Sequence, residues 1–205
     1  MFDSRIRRHI DPISDVIGAA LGKRGVTANT VTTIGFVFGL MAFAALIMGH
    51  VLTGLVFIIF NRIADGLDGA VARYHGVTDL GGYLDIVTDF IFYALVPLGF
   101  ALHDPGKAQA AAFLVFSFIG TGSSFLAFAI IAAKRGIESS VRGRKSIYYL
   151  GGLTEGAETI AVLVMMCLFP DWFSIIAWVF GGLCWITTAT RIHQAVTTFT
   201  PEKGS

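Results

Sequence analysis

The sequence predicts an all-α, polytopic membrane bundle of about six spanning helices, preceded by an amphipathic helix lying in the membrane interface. Two observations carry that prediction. Hydrophobic residues fill 55% of the 205 positions and charged residues only 14%, where a soluble domain carries about 25% charged. The apolar residues are also gathered into runs of the roughly twenty positions that a helix needs to cross a bilayer. With 15 Lys and Arg against 14 Asp and Glu the net charge is +1, and no basic run points to nucleic acid.

Residues 1–25 are too polar to span. Ile6, Ile10, Ile13, Val16 and Ile17 recur at helical spacing with Arg5, Arg7 and Arg8 between them, a pattern that suits a helix lying among anionic headgroups. Basic and apolar residues are mixed there without an apolar core run, unlike a cleavable signal peptide. Spans are expected near 30–49, 51–73, 81–102, 108–133, 147–169 and 171–197. They are separated by Gly49-His50, the stretch after Arg73, His103-Asp104-Pro105-Gly106, the polar run 134–146, and Pro170-Asp171. The chain thus divides into an interfacial segment (1–25), a six-span domain (26–199) and a tail (200–205).

Basic residues set the expected orientation. Of the 15 Lys and Arg, all but Arg62 and Lys107 fall on the side that carries the N-terminus. By the positive-inside rule both termini are expected in the cytoplasm, with the protein in a membrane such as the bacterial inner membrane. Cys167 and Cys184 lie at different expected depths, which disfavours a disulfide and reads as core packing. The five histidines show no metal-ligand spacing, and Thr121, Ser123 and Ser124 read as helix-packing residues.

The second and third spans break the rules for lipid-facing helices. Asp65 and Asp68 stand three apart, and Asp85 and Asp89 four apart, so each pair shares a helix face. Asn61, Gly69 and Ala72 lie on the first face, Gly81 and Thr88 on the second. An ionised aspartate at mid-membrane costs about 2.5–3.5 kcal/mol even on a lenient scale. Four of them near only Arg62 and Arg73 leave uncompensated negative charge, and bound divalent cations are the simplest compensation. All-oxygen donors suit Mg²⁺ or Mn²⁺ rather than zinc. Two such ions, about 3.5–4 Å apart, would clamp a diphosphate and activate a hydroxyl. The bland alternative is an ion-pair network of the acids with Arg62 and Arg73.

Residues 65–89 read DGLDGAVARYHGVTDLGGYLDIVTD. The run resembles the signature of the CDP-alcohol phosphatidyltransferases, D-x-x-D-G-x-x-A-R followed after seven or eight residues by G-x-x-x-D-x-x-x-D. Asp65, Asp68, Gly69, Ala72, Arg73, Gly81, Asp85 and Asp89 fill every fixed position. Thr27-Ala28-Asn29-Thr30-Val31-Thr32 is similar to the family's T-P-N-x-x-T segment, with Ala28 where proline is usual. The resemblance implies that Asp65, Asp68 and Asp85 hold a metal pair and that Asp89 both binds metal and acts as general base. It also implies nucleotide contacts from Asn29, Thr32, Gly66, Gly69, Arg73 and Gly81, although packing would explain Gly69 and an acid could pair with Arg73 equally well. The implied reaction displaces CMP from a CDP-linked donor, normally CDP-diacylglycerol, by a small alcohol. The family is often homodimeric.

The acceptor is less defined. Arg142, Arg144 and Lys145 at the cytoplasmic mouth suit a phosphorylated polyol such as glycerol 3-phosphate or inositol phosphate, or else anchor the bundle to headgroups. Glu155 and Glu158, three apart, suit acceptor hydroxyls or an ion pair. Serine, inositol or a CDP-aminoalcohol substrate stay open. Outside the family, a divalent-cation carrier and a catalytically silent scaffold are the rival readings.

Overall fold

The computed structural model describes residues 3–137 and 152–200, with side chains from Pro12 on. Seven α-helices and no strand lie among them: α1 (Asp3–Lys23), α2 (Ala28–Ile47), α3 (Val51–His75), α4 (Asp79–His103), α5 (Ala108–Lys134), α6 (Gly156–Leu168) and α7 (Phe173–Phe199). The helices after α1 follow the expected spans, with one correction. The fifth span was expected to run over 147–169, yet residues 152–155 are not helical and α6 begins at Gly156. Gly151 and Gly152 are poor helix formers, and the Glu155 backbone N–H donates to the Glu158 carboxylate as half of a capping box that starts the helix.

Among the described residues four helical stretches are long and apolar enough to cross a membrane: Ala28–Ile47, Asp79–His103, Pro105–Lys134 and Pro170–Phe199. Helix α3 is 25 residues long but carries Arg62, Asp65, Asp68 and Arg73. Helix α6 has 13 residues.

Large apolar side chains such as Leu52, Val56, Ile119, Ile130 and Val179 point outward, as lipid-facing positions do. Lipid tails are as apolar as leucine, so close packing rather than water exclusion must hold the helices together. The central core joins Phe92, Val96 and Phe100 of α4 to Leu114 and Phe118 of α5, Leu163 and Met166 of α6, and Phe173 and Ala177 of α7. Helix α2 packs on both α3 and α4, and α5 on α7. Gly99 marks how close α4 comes to α2, since a Cβ there would sit 2.8 Å from the Leu46 Cβ.

The expected amphipathic N-terminal helix is present. Gly18 lies so near α3 that a Cβ would meet the Ala70 backbone at 2.7 Å. Ile13, Val16 and Ile17 face away from the bundle, where an interfacial helix meets lipid.

Thr27 caps α2, its hydroxyl accepting from the Thr30 N–H at 3.2 Å. Ala28 is therefore the first helical residue, the position that favours proline because its N–H has no partner within the helix. Thr27 is extended, with φ −91° and ψ 155°, which a following proline tolerates. Ala28→Pro should hold stability or raise it by about 0.5 kcal/mol. Denaturant unfolding in detergent checks this, and a loss above about 1 kcal/mol would contradict the cap geometry.

Candidate metal and nucleotide site

The four aspartates gather at one end of the bundle, late in α3 and early in α4. Asp65, Asp68 and Asp89 line a recess with Thr32, Gly35, Phe36, Asn61, Arg62 and Thr88. Helical spacing explains each pair, and α2, which packs on both α3 and α4, holds the two acidic faces together. One carboxylate oxygen from each of Asp65, Asp68 and Asp85 lies within 4.8 Å of the others. Asp68 is buried, Asp65 half-buried and Asp85 exposed, so the cluster runs from the interior to an open edge. An all-carboxylate set of this kind fits a hard divalent cation such as Mg²⁺ or Mn²⁺.

Asp89 is held separately. Its Oδ1 accepts from Arg62 Nη2 at 2.8 Å, and its Oδ2 accepts from the Tyr93 hydroxyl at 3.1 Å. Arg62 also approaches Asp65 at 3.6 Å. Each carboxylate oxygen keeps a second lone pair, so these bonds leave Asp89 able to accept further.

Arg73 is elsewhere. Its Nε and Nη2 donate to Asp15 Oδ1 of α1 at 2.8 and 2.6 Å. The ion-pair network that joins the acids to both arginines is thus not what forms; Arg62 pairs with Asp65 and Asp89, while Arg73 fastens α1. Both partners of the Asp15 pair are close to half exposed, so it contributes at most about 1 kcal/mol.

Thr32 donates to Asp68 Oδ2 at 2.7 Å, placing it behind a carboxylate of the cluster. Asn29 sits across from Gly81, where a Cβ would lie 3.2 Å from Asn29 Oδ1 and 3.0 Å from Thr78 Oγ1. A Cβ on Gly66 would meet nothing within 4 Å, and one on Gly69 only Arg73 Nη1 at 3.5 Å. Helix packing therefore does not account for either glycine, and both leave open space beside the acids.

Glu155 and Glu158 serve the start of α6, where the Glu155 carboxylate accepts from the Gly152 N–H at 3.2 Å. Arg142, Arg144 and Lys145 lie outside the described residues. Cys167 and Cys184 are free and buried. Thr121, Ser123 and Ser124 hydrogen-bond carbonyls of their own helix, as packing residues do. The sequence reading missed Tyr93, although it continues the stripe of Asp85 and Asp89 by another four residues. It also missed Arg191, counted there only among the basic residues on the side of the N-terminus. Arg191 is buried, donates to the Thr121 carbonyl at 2.9 Å and lies over Phe125.

A membrane helical bundle whose acidic cluster suits divalent metal defines the class, and comparison with known proteins gives the family. Residues 25–190 match the model of the CDP-alcohol phosphatidyltransferases. The chain belongs to that family of phosphotransferases, which make phospholipids, and is an integral membrane protein. It is 51% identical over 199 residues to the inner membrane protein YnjF of Escherichia coli, covering 97% of each chain. It is 29% identical to the archaetidylinositol phosphate synthase of Pyrococcus horikoshii, over 94% of this chain and 95% of that one. The same fold occurs in crystal structures of the phosphatidylinositol phosphate synthase of Mycobacterium tuberculosis. The form with CDP-DAG bound superposes with TM-score 0.73 at 23% identity, over 91% of this chain and 94% of that one. The form with manganese and citrate gives TM-score 0.68 at 24% identity, over 88% and 87%.

Residues that orient metal ligands commonly change affinity 10- to 100-fold when removed. Thr32→Val should weaken Mn²⁺ binding about tenfold, measured by titration calorimetry in detergent. Asp15→Asn, which removes the Arg73 pair, should leave Mn²⁺ affinity within about twofold.

Proposed function

We propose that the chain transfers a phosphatidyl group from CDP-diacylglycerol to the hydroxyl of a small alcohol, releasing CMP. The observation that carries the reading is the Asp65, Asp68 and Asp85 cluster with Asp89 beside it. The first three carboxylates would hold two Mg²⁺ or Mn²⁺ ions, and Asp89 would add a ligand. Such ions, when bound, neutralise the diphosphate and polarise the phosphorus under attack. Asp89 takes the proton of the acceptor hydroxyl as its oxygen bonds to the phosphorus that carries the diacylglycerol. The bond from that phosphorus to the CMP oxygen then breaks. Phosphoryl-type transfer asks the protein mainly for positioning and charge neutralisation. The open faces of Gly66 and Gly69, with Asn29 near Gly81, suit a nucleotide lying across the start of α4.

The donor is supported by the Mycobacterium tuberculosis structure that holds CDP-DAG. A phosphorylated polyol is the favoured acceptor, supported by Arg142, Arg144 and Lys145 and by the archaetidylinositol phosphate synthase relative. Arg73 serves the site indirectly, through α1. The basic residues favour cytoplasmic termini in a bacterial inner membrane, and the family resemblance favours a homodimer. Serine, inositol and aminoalcohol substrates belong to the same assay panel.

Purified protein with CDP-diacylglycerol, Mn²⁺ or Mg²⁺ and a panel of alcohols should release CMP, and EDTA should stop it. Asp89→Asn should lower the rate about a thousandfold, within the range of a lost general base. Full turnover in EDTA would sink the metal role, and ion flux across vesicles without CMP release would favour a cation carrier.

A further inference from the structure

We propose that Arg62 and Tyr93, neither of them a fixed position of the family signature, are positioning residues that clamp both oxygens of Asp89 toward the acceptor hydroxyl. The inference rests on the transferase reading above. Arg62 is itself fully oriented. Its Nε donates to Asn61 Oδ1 at 2.7 Å, and Asn61 Nδ2 donates to the Gly35 carbonyl of α2 at 2.8 Å. The guanidinium lies 4.5 Å from the centroid of the Phe92 ring, and Phe92 is fully buried. A single planar group thus reaches α2 through Asn61, stacks on α4, and presents Nη2 to Asp89 at 2.8 Å.

Tyr93 completes the clamp from the same helix as Asp89, one turn further on, at 3.1 Å. Its hydroxyl lies under the start of α6, where a Cβ on Gly156 would come within 3.6 Å. With both oxygens fixed, the carboxylate has one orientation. A lysine cannot reproduce the arrangement, because it lacks the planar fork that serves Asn61 and Asp89 together.

Tyr93→Phe removes one oxygen and little else. It should lower kcat for CMP release about tenfold, with KM for CDP-diacylglycerol and Mn²⁺ affinity each within about twofold. The loss should vanish when Asp89 is already Asn, because a residue that acts through Asp89 has nothing left to act on. Arg62→Lys should not rescue kcat. Arg62→Gln should tighten Mn²⁺ binding about fivefold, since it removes a cation facing Asp65 and Asp89. A Tyr93→Phe rate within twofold of the parent would overturn the proposal. So would losses that add in full to that of Asp89→Asn, or weaker Mn²⁺ binding in Arg62→Gln. If the unmodified protein releases no CMP with any acceptor, the transferase reading fails, and the Mn²⁺ titration still decides the clamp.

Discussion

Carboxylates concentrated on two helices of a membrane bundle are the constraint on which the rest of this molecule depends. An ion at mid-bilayer is costly, and this bundle concentrates four within two adjacent helices. The structure manages them by unequal partnership. Arg62 neutralises part of the charge at Asp89 and Asp65, Thr32 hydrogen-bonds Asp68, and Asp85 stands at the exposed edge. What remains is a concentration of negative oxygen that suits divalent cations.

The helix contacts follow from placing that cluster. Small residues let α2 lie against α3 and α4, so that Thr32 reaches Asp68 and Asn61 reaches the Gly35 carbonyl. The apolar core below joins Phe92, Val96 and Phe100 of α4 to Phe173 of α7. It fixes the α4 axis on which Asp85, Asp89 and Tyr93 are strung. A site whose ligands come from rigid helices rather than loops keeps its geometry through several turns of hydrogen bonds in each direction.

Much of this was legible in the sequence, and the reasons are physical. Spacings of three and four place side chains on one helix face wherever the helix goes, so the two aspartate pairs were readable before any fold. The run lengths gave the spans, because bilayer thickness fixes them. What the spacing could not carry was the rotation of one helix against another. Thr32 reads as a nucleotide contact by the family resemblance, and only the α2–α3 crossing shows that it meets Asp68. Arg73 reads as a partner for phosphate or for the nearby acids; its meeting with Asp15, 58 positions away, depends on how α1 lies on α3. Tyr93 sat in plain register with Asp89, but an aromatic in an apolar helix looks like core. The expected fifth span is longer than α6 because run length alone does not register the break over residues 152–155.

That short sixth helix has a consequence for the bilayer itself. Thirteen helical residues rise about 20 Å, against a hydrocarbon core of about 30 Å. Just before α6, close to Tyr93, the backbone of residues 152–155 is irregular. Its polar groups are met from within the protein, Thr154 N by the Thr187 hydroxyl and Gly152 N by Glu155, which is the condition for non-helical chain at such depth. Along α6 itself the apolar wall offered to lipid is about 20 Å tall. A dip in the membrane surface along α6 would bring water, and anything dissolved in it, closer to the depth of the acids.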